Sequence, residues 1–158
     1  MKEQVIIKLQ QRGVKIDDLV PVLYELQSPY LPNLTYEKCK DNILAVLNKR
    51  DIQHAILTGI ALDELAEKGL LEEPLLSILR NDDSLYGIDE ILALGIGTLY
   101  GTIGSTNFGY LDKGKPGIIK KLDTNSGKVN TFLDDLVCAI IAAAASRMAH
   151  RHRDSNNG

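Results

Sequence analysis

An all-α fold is what this sequence predicts, and three observations carry that reading. Apolar residues recur mainly at helical spacing. Aromatic residues, which favour strands, make up only 5% of the chain. No Asn-Gly or Asp-Gly turn stands between two apolar runs, so the strongest hairpin signal is missing. At 158 residues, 44% hydrophobic and 25% charged, the chain fits one domain with a core large enough to need no disulfide or metal staple.

The elements follow in order. Val5, Ile6 and Leu9 form the stripe of a first helix that Gly13 stops. Asp17 caps a second, with Leu19, Val20, Leu23 and Leu26 inward and Pro21 in its first turn. Pro29 and Pro32 make 28–34 a loop, and Thr35 caps a third helix bearing Cys39, Ile43, Leu44 and Leu47. Asp51 caps a fourth, carrying Ile52, Ala55, Ile56, Ile60, Leu62 and Leu65, and Gly69 closes it. Pro74 opens a short fifth helix over 75–80. Residues 81–84 break the pattern, and Ser84 caps a long apolar helix over about 85–106. A Gly- and Lys-rich connector (109–117) and a turn or two of helix (118–122) lead to Thr131, which with Asp134 resembles a capping box for a last helix over about 132–150. Residues 154–158 read as a polar tail, leaving 1–153 as one helical domain.

Residues 91–111 carry no charge, and Gly97, Gly101 and Ser105 lie four apart with Gly104 beside them. Small residues at that spacing let backbones approach closely. The expectation is therefore a bundle of about six or more helices with the 85–106 helix at its centre. The same stretch is long enough to cross a bilayer, but Gly, Thr, Ser and Asn crowd its second half, and 136–145 is too short. With no apolar leader at Met1, the expectation is a soluble, cytoplasmic chain. A net charge of −3 argues against a nucleic-acid binder. Cys39 and Cys138 have no ligand-spaced partner and read as reduced, half-buried thiols.

The chemistry lies in the acids. Asp89 and Glu90 open one very apolar helix and Asp134 and Asp135 open the other. If both helices are interior, four carboxylates converge and must be protonated, salt-bridged or bound to a cation. Oxygen ligands of this kind suit Mg²⁺. The plainer alternative is that acids in a first helical turn complement the macrodipole, with Asp134 capping its own helix. Between the pairs lie Asp112, Lys115, Pro116 and Asp123, with Lys113, Lys120 and Lys121, a mixture that can hold a phosphate beside a metal or be a solvated loop.

The run DKGKPGIIKKLD (112–123) resembles the D-x-x-K-P-x-P-I-x-x-x-D signature of the phosphatidylglycerophosphatase A family. GKVNTFLDDLVCA (127–139) resembles its G-G-x-G-I-x-x-D-D-x-x-A-G block, and Asp89-Glu90-Ile91 its W-D-E-F/I element. The three blocks stand in the family's order over about 52–145, closest to its shorter, all-helical, YutG-like branch. The resemblance implies Mg²⁺-dependent hydrolysis of phosphatidylglycerophosphate to phosphatidylglycerol and phosphate. It implies Asp89, Glu90, Asp134 and Asp135 as metal ligands, Asp89, Asp134 and Lys115 as the catalytic group, and Lys115, Asp112 and Asp123 as substrate-binding residues. Gly117 stands at the family's second proline, Lys128 and Val129 replace part of its Gly-rich block, and Thr35 to Cys39 replaces the G-P-G-T-x-G-S loop of its membrane enzymes.

The expected ligand is a phosphomonoester or a phospholipid headgroup, reached by peripheral membrane contact, with self-association as a further expectation. A non-catalytic helical module keeping the metal site is the alternative, favoured by the missing glycine loop. A purely structural oligomerisation domain is a third reading. Gly95-Ile96-Gly97-Thr98-Leu99-Tyr100-Gly101 is set aside as a dinucleotide loop because no strand precedes it. His150 and His152, two apart with Arg147, Arg151 and Arg153, read as complementing a helix C-terminus.

Overall fold

The chain wraps around its last helix. The computed structural model describes residues 1–123 and 127–157, and among these every residue from Leu133 to Ser146 is buried. That stretch is the first half of α9 (Leu133–Asn157). Around it pack α2 (Ile16–Gln27), α3 (Tyr36–Val46), α4 (Arg50–Glu67), α6 (Ile88–Gly97), α7 (Thr102–Gly114) and α8 (Ile118–Asp123). Outside these, α1 (Lys2–Gln11) and the short α5 (Leu75–Arg80) lie on α4. No strand occurs among the described residues, so the class is all-α as expected.

The central place does not fall to 85–106. That stretch is broken into α6, a 3₁₀ turn at Thr98–Tyr100, and α7, because Gly101 takes φ +103° and reverses the chain. Leu85 is 93% exposed, so the segment's start is at the surface. Small residues explain the outcome. α9 carries Ala142 to Ala145 in a row and is thin enough to be enclosed on all sides. The glycines of 97–104 serve instead to press α6 against α7: a Cβ on Gly104 would fall 1.9 Å from the Gly97 carbonyl oxygen.

Local signals held unevenly. Thr35 Oγ1 accepts from the Lys38 N–H at 3.2 Å, as a cap should. Gly13 and Gly69 close α1 and α4 at φ +87° and +70°. α2 starts one residue before Asp17, with Asp18 accepting from the Lys15 N–H at 2.9 Å and Pro21 inside the helix. Lys49 rather than Asp51 precedes α4, and Gly87 at φ +74° rather than Ser84 precedes α6. α9 continues through 154–157, where a polar tail was expected. His150 therefore lies within the helix, its Nε2 2.7 Å from the Tyr100 carbonyl oxygen, and does not complement a C-terminus. Cys39 and Cys138 are unpaired and fully rather than half buried, and burial pushes the Cys39 thiol up to about 11. Among the described residues no helix is long and apolar enough to cross a membrane.

Candidate active site

The start of α9 is built by a residue seventy positions earlier. Asp63, fully buried on α4, accepts from the Phe132 N–H at 3.0 and 3.2 Å and from the Leu133 N–H at 2.9 Å. It satisfies the orphan donors that open the helix. Thr131, expected to cap, instead donates its hydroxyl to the Leu79 carbonyl at 2.6 Å and ties the turn to α5. Burial raises the Asp63 carboxyl to about 7 despite the two amide donors that favour its charged form.

The approach to α9 is braced by Arg12. Its guanidinium pairs with Glu67 at 3.1 Å and donates to the Val129 carbonyl at 2.6 Å and to Asn130 Oδ1 at 3.0 Å. Glu67 in turn accepts from the Val129 N–H at 2.9 Å. Burial works to raise its carboxyl, but Arg12, the Val129 N–H and Lys128 together hold it low.

This frame delivers Asp134 and Asp135 into a cleft of about 280 Å³ lined also by Asp82, Asp83, Ser84, Asp89, Glu90, Asp112 and Lys115. Asp134 is 6%, Asp135 4% and Asp89 9% exposed. Asp89 comes from the first turn of α6, and Asp112 from the last turn of α7. Lys115 follows α7 in the left-handed region at φ +45°, its N–H bonded to the Leu111 carbonyl. That strained turn aims its ammonium at Asp123, 3.3 Å away, and Asp134, 3.8 Å away. Asp123 ends α8 and lies on the adjoining wall, where a second cleft of about 170 Å³ shares Asp82 and Asp134.

The electrostatics are those of crowded acids. Burial, and then Lys115 working against it, leave Asp134 raised to about 8. Burial, and then Asp134, Asp89 and Asp112, push the Asp135 carboxyl well above the usual carboxylate range. Asp82 is raised by burial and by Asp89 and Asp123. Lys115 is raised because Asp134 and Asp123 outweigh its own desolvation.

All the acids singled out in the sequence thus lie in or beside one cleft, but grouped differently from the expected roles. Asp82, Asp123 and Asp134 each place a carboxylate oxygen within 4.8 Å of the others. Of the expected metal set, only Asp134 belongs to that group, while Asp89 and Asp135 are buried elsewhere in the cleft and Glu90 is exposed at the rim. Asp123, expected to meet substrate, is in it. Asp82 belongs to the Asn-Asp-Asp-Ser turn over 81–84 that breaks the helical pattern ahead of Asp89, and the structure gives it φ +48°. Hard carboxylate oxygens in close array, one from the buried Asp134 and two from the exposed Asp82 and Asp123, fit a divalent cation such as Mg²⁺.

Gly117 also finds its reason. It sits at φ +57°, which proline cannot adopt, and a Cβ there would come 3.0 Å from Val22 Cγ2.

Comparison with known proteins shows the family and the fold. The family profile described as phosphatidylglycerophosphatase A matches residues 9–150. The Bacillus subtilis protein YpjQ, itself uncharacterised, is 56% identical over 92% of this chain and 82% of its own length. YutG of the same organism, also uncharacterised, is 53% identical over 92% of this chain and 89% of its own. The crystal structure of the low temperature requirement C protein from Listeria monocytogenes superposes with a TM-score of 0.93 at 52% identity, covering 96% of each chain. With the acids and the lysine of its sequence blocks gathered at one cleft, the chain belongs to the phosphatidylglycerophosphatase A family.

Proposed function

We propose that the chain is a Mg²⁺-dependent phosphomonoester hydrolase acting on phosphatidylglycerophosphate or a smaller phosphomonoester. The observation that carries this is the convergence of seven acids and Lys115 on one cleft, with Asp123 on the adjoining wall, in a member of this family. Asp82, Asp123 and Asp134 are the residues that would hold the ion, with Asp89, Asp135 and Glu90 around them. Bound there, Mg²⁺ would supply Lewis-acid polarisation of a phosphoryl group and a more acidic water. Lys115 supplies positive charge where the phosphoryl oxygens gain negative charge, the kind of fixed electrostatic stabilisation that dominates such reactions. Asp135, buried beside Asp134 at the start of α9, lines the same cleft as Asp89 and Asp112. Asp134, with the Asp135 N–H on its Oδ1 at 2.8 Å, has one oxygen fixed and the other toward Lys115.

The test is phosphate release from phosphatidylglycerophosphate in detergent micelles and from small phosphomonoesters, with Mg²⁺ and with a chelator. Release only with Mg²⁺, lost in Asp134→Asn and Asp89→Asn proteins that still fold, is the expected result. Release indifferent to the chelator, or unchanged in both variants, overturns the assignment. One observation favours a second reading, a non-catalytic module that binds the same ligand. Residues 35–39, standing where the family's membrane enzymes carry a glycine loop, open α3 and line no part of the cleft. Cation-dependent phosphate binding without turnover would favour that module.

A further inference from the structure

α6 has two apolar faces, and only one is covered. Asp89, Ala93, Ile96 and Gly97 turn inward. On the other side Ile88, Ile91, Leu94 and Leu99 are 49%, 65%, 37% and 39% exposed, with Leu85 beyond them. Their spacing follows one side of a helix. Gly95 lies among them, exposed, with no atom within 4 Å of a Cβ built on it. Contiguous apolar surface of this kind marks an interaction site.

The two ends of the face differ in charge. Asp82, Asp83 and Glu90 are exposed at its start. At its finish the Lys49 ammonium sits 4.3 Å over the Tyr100 ring, with exposed Arg50 next in sequence.

We propose that this face seats a second copy of the chain, with α6 crossing α6 antiparallel about a two-fold axis near Gly95. A two-fold pair needs a self-complementary patch, and the antiparallel crossing lays each acidic end on the basic end of the other copy. Gly95 removes the side chain at the crossing point, so the backbones come close and Ile91 and Leu94 of each copy interlock around it. An anionic membrane would instead meet the acidic end and be repelled there. A stable pair buries about 800 Å² per copy, more than one ten-residue helix face offers, so the charged ends take part. The pairing also brings Lys49 and Arg50 of the second copy to the rim of the acid cleft, adding positive charge beside Glu90. This inference does not depend on phosphatase activity.

Sedimentation equilibrium of the full chain tests it. The expected species is twice the 17.4 kDa chain mass. Ile91→Glu and Gly95→Trp should each weaken association at least tenfold while leaving circular dichroism and the melting of the dilute monomer unchanged, since both positions face away from the core. A wild-type protein monomeric at tens of micromolar, or a dimer that survives both substitutions, overturns the proposal. So does a monomer that floats with phosphatidylglycerol vesicles and loses that binding in Ile91→Glu, which would assign the face to a membrane.

Discussion

α6 and the first half of α9 are the two most apolar stretches of the chain, and both begin with paired acids, yet one is enclosed on every side and the other on one. In α9 the residues from Leu133 to Ser146 are all buried. In α6 large side chains alternate between the core and open solvent. Hydrophobicity alone does not place a helix at the centre; girth does. A run of alanines admits neighbours all round, whereas Ile88, Ile91 and Leu94 hold them off. The acids are placed accordingly: α9 delivers both Asp134 and Asp135 into a buried position, while α6 buries Asp89 and leaves Glu90 at the rim.

Substitutions can break this comparison at graded cost. The largest effect belongs to Asp134→Asn, which should lower Mg²⁺-dependent phosphate release by about a thousandfold, about 4 kcal/mol of barrier, with far-UV circular dichroism retained. Glu90→Gln should cost no more than about tenfold in the same assay, and equal losses would erase the distinction between the helices. Next, Ala143→Leu inside α9 should destabilise by about 3 kcal/mol through overpacking. The same added volume at exposed Gly95 should cost nothing measurable in a sample dilute enough to be monomeric, both read by urea denaturation.

The acids give a pH signature that sharpens the contrast further. Asp63 and Asp134 are raised to about 7 and about 8, above the roughly 3.9 of an unfolded aspartate. The native state then binds protons more tightly than the unfolded one. Their stabilising contribution is complete below about pH 4 and is lost as pH rises through 7 and 8. Without divalent cation the melting temperature should fall between pH 5 and pH 8. Mg²⁺ should restore it, with a larger shift at pH 8 than at pH 5, because ligation needs the ionised carboxylates. Asp63→Asn should flatten the curve without altering the Mg²⁺ shift, whereas Asp134→Asn should diminish both. The smallest effect belongs to Ile91→Ala on a dilute sample, where the face is open and stability should change by less than about 0.5 kcal/mol.

Much of this was legible in the sequence. Helical spacing gave the class, Gly13, Gly69 and Thr35 marked real ends, and the acid blocks pointed to one place. The identity of the central helix was not legible, because an uncharged run from 91 to 111 looks the same whether it is continuous or folded back at Gly101. The cap of α9 was hidden for a different reason: Asp63 reaches it from α4, across 69 positions to Phe132, and no local pattern reveals a partner so distant. Asp82 was overlooked because a turn residue and a ligand have the same letter, and only the approach of α8 and α9 distinguishes them.

The bare contact between Gly97 and Gly104 has one more consequence. Asp89 lies eight residues before the first glycine and Asp112 eight after the second, roughly 12 Å along each helix. The two helices are thus arms of equal length resting on a common fulcrum with no side chain between them. A single methyl inserted there would act as a wedge and spread the far tips, altering the gauge of the jaws without touching any residue in them.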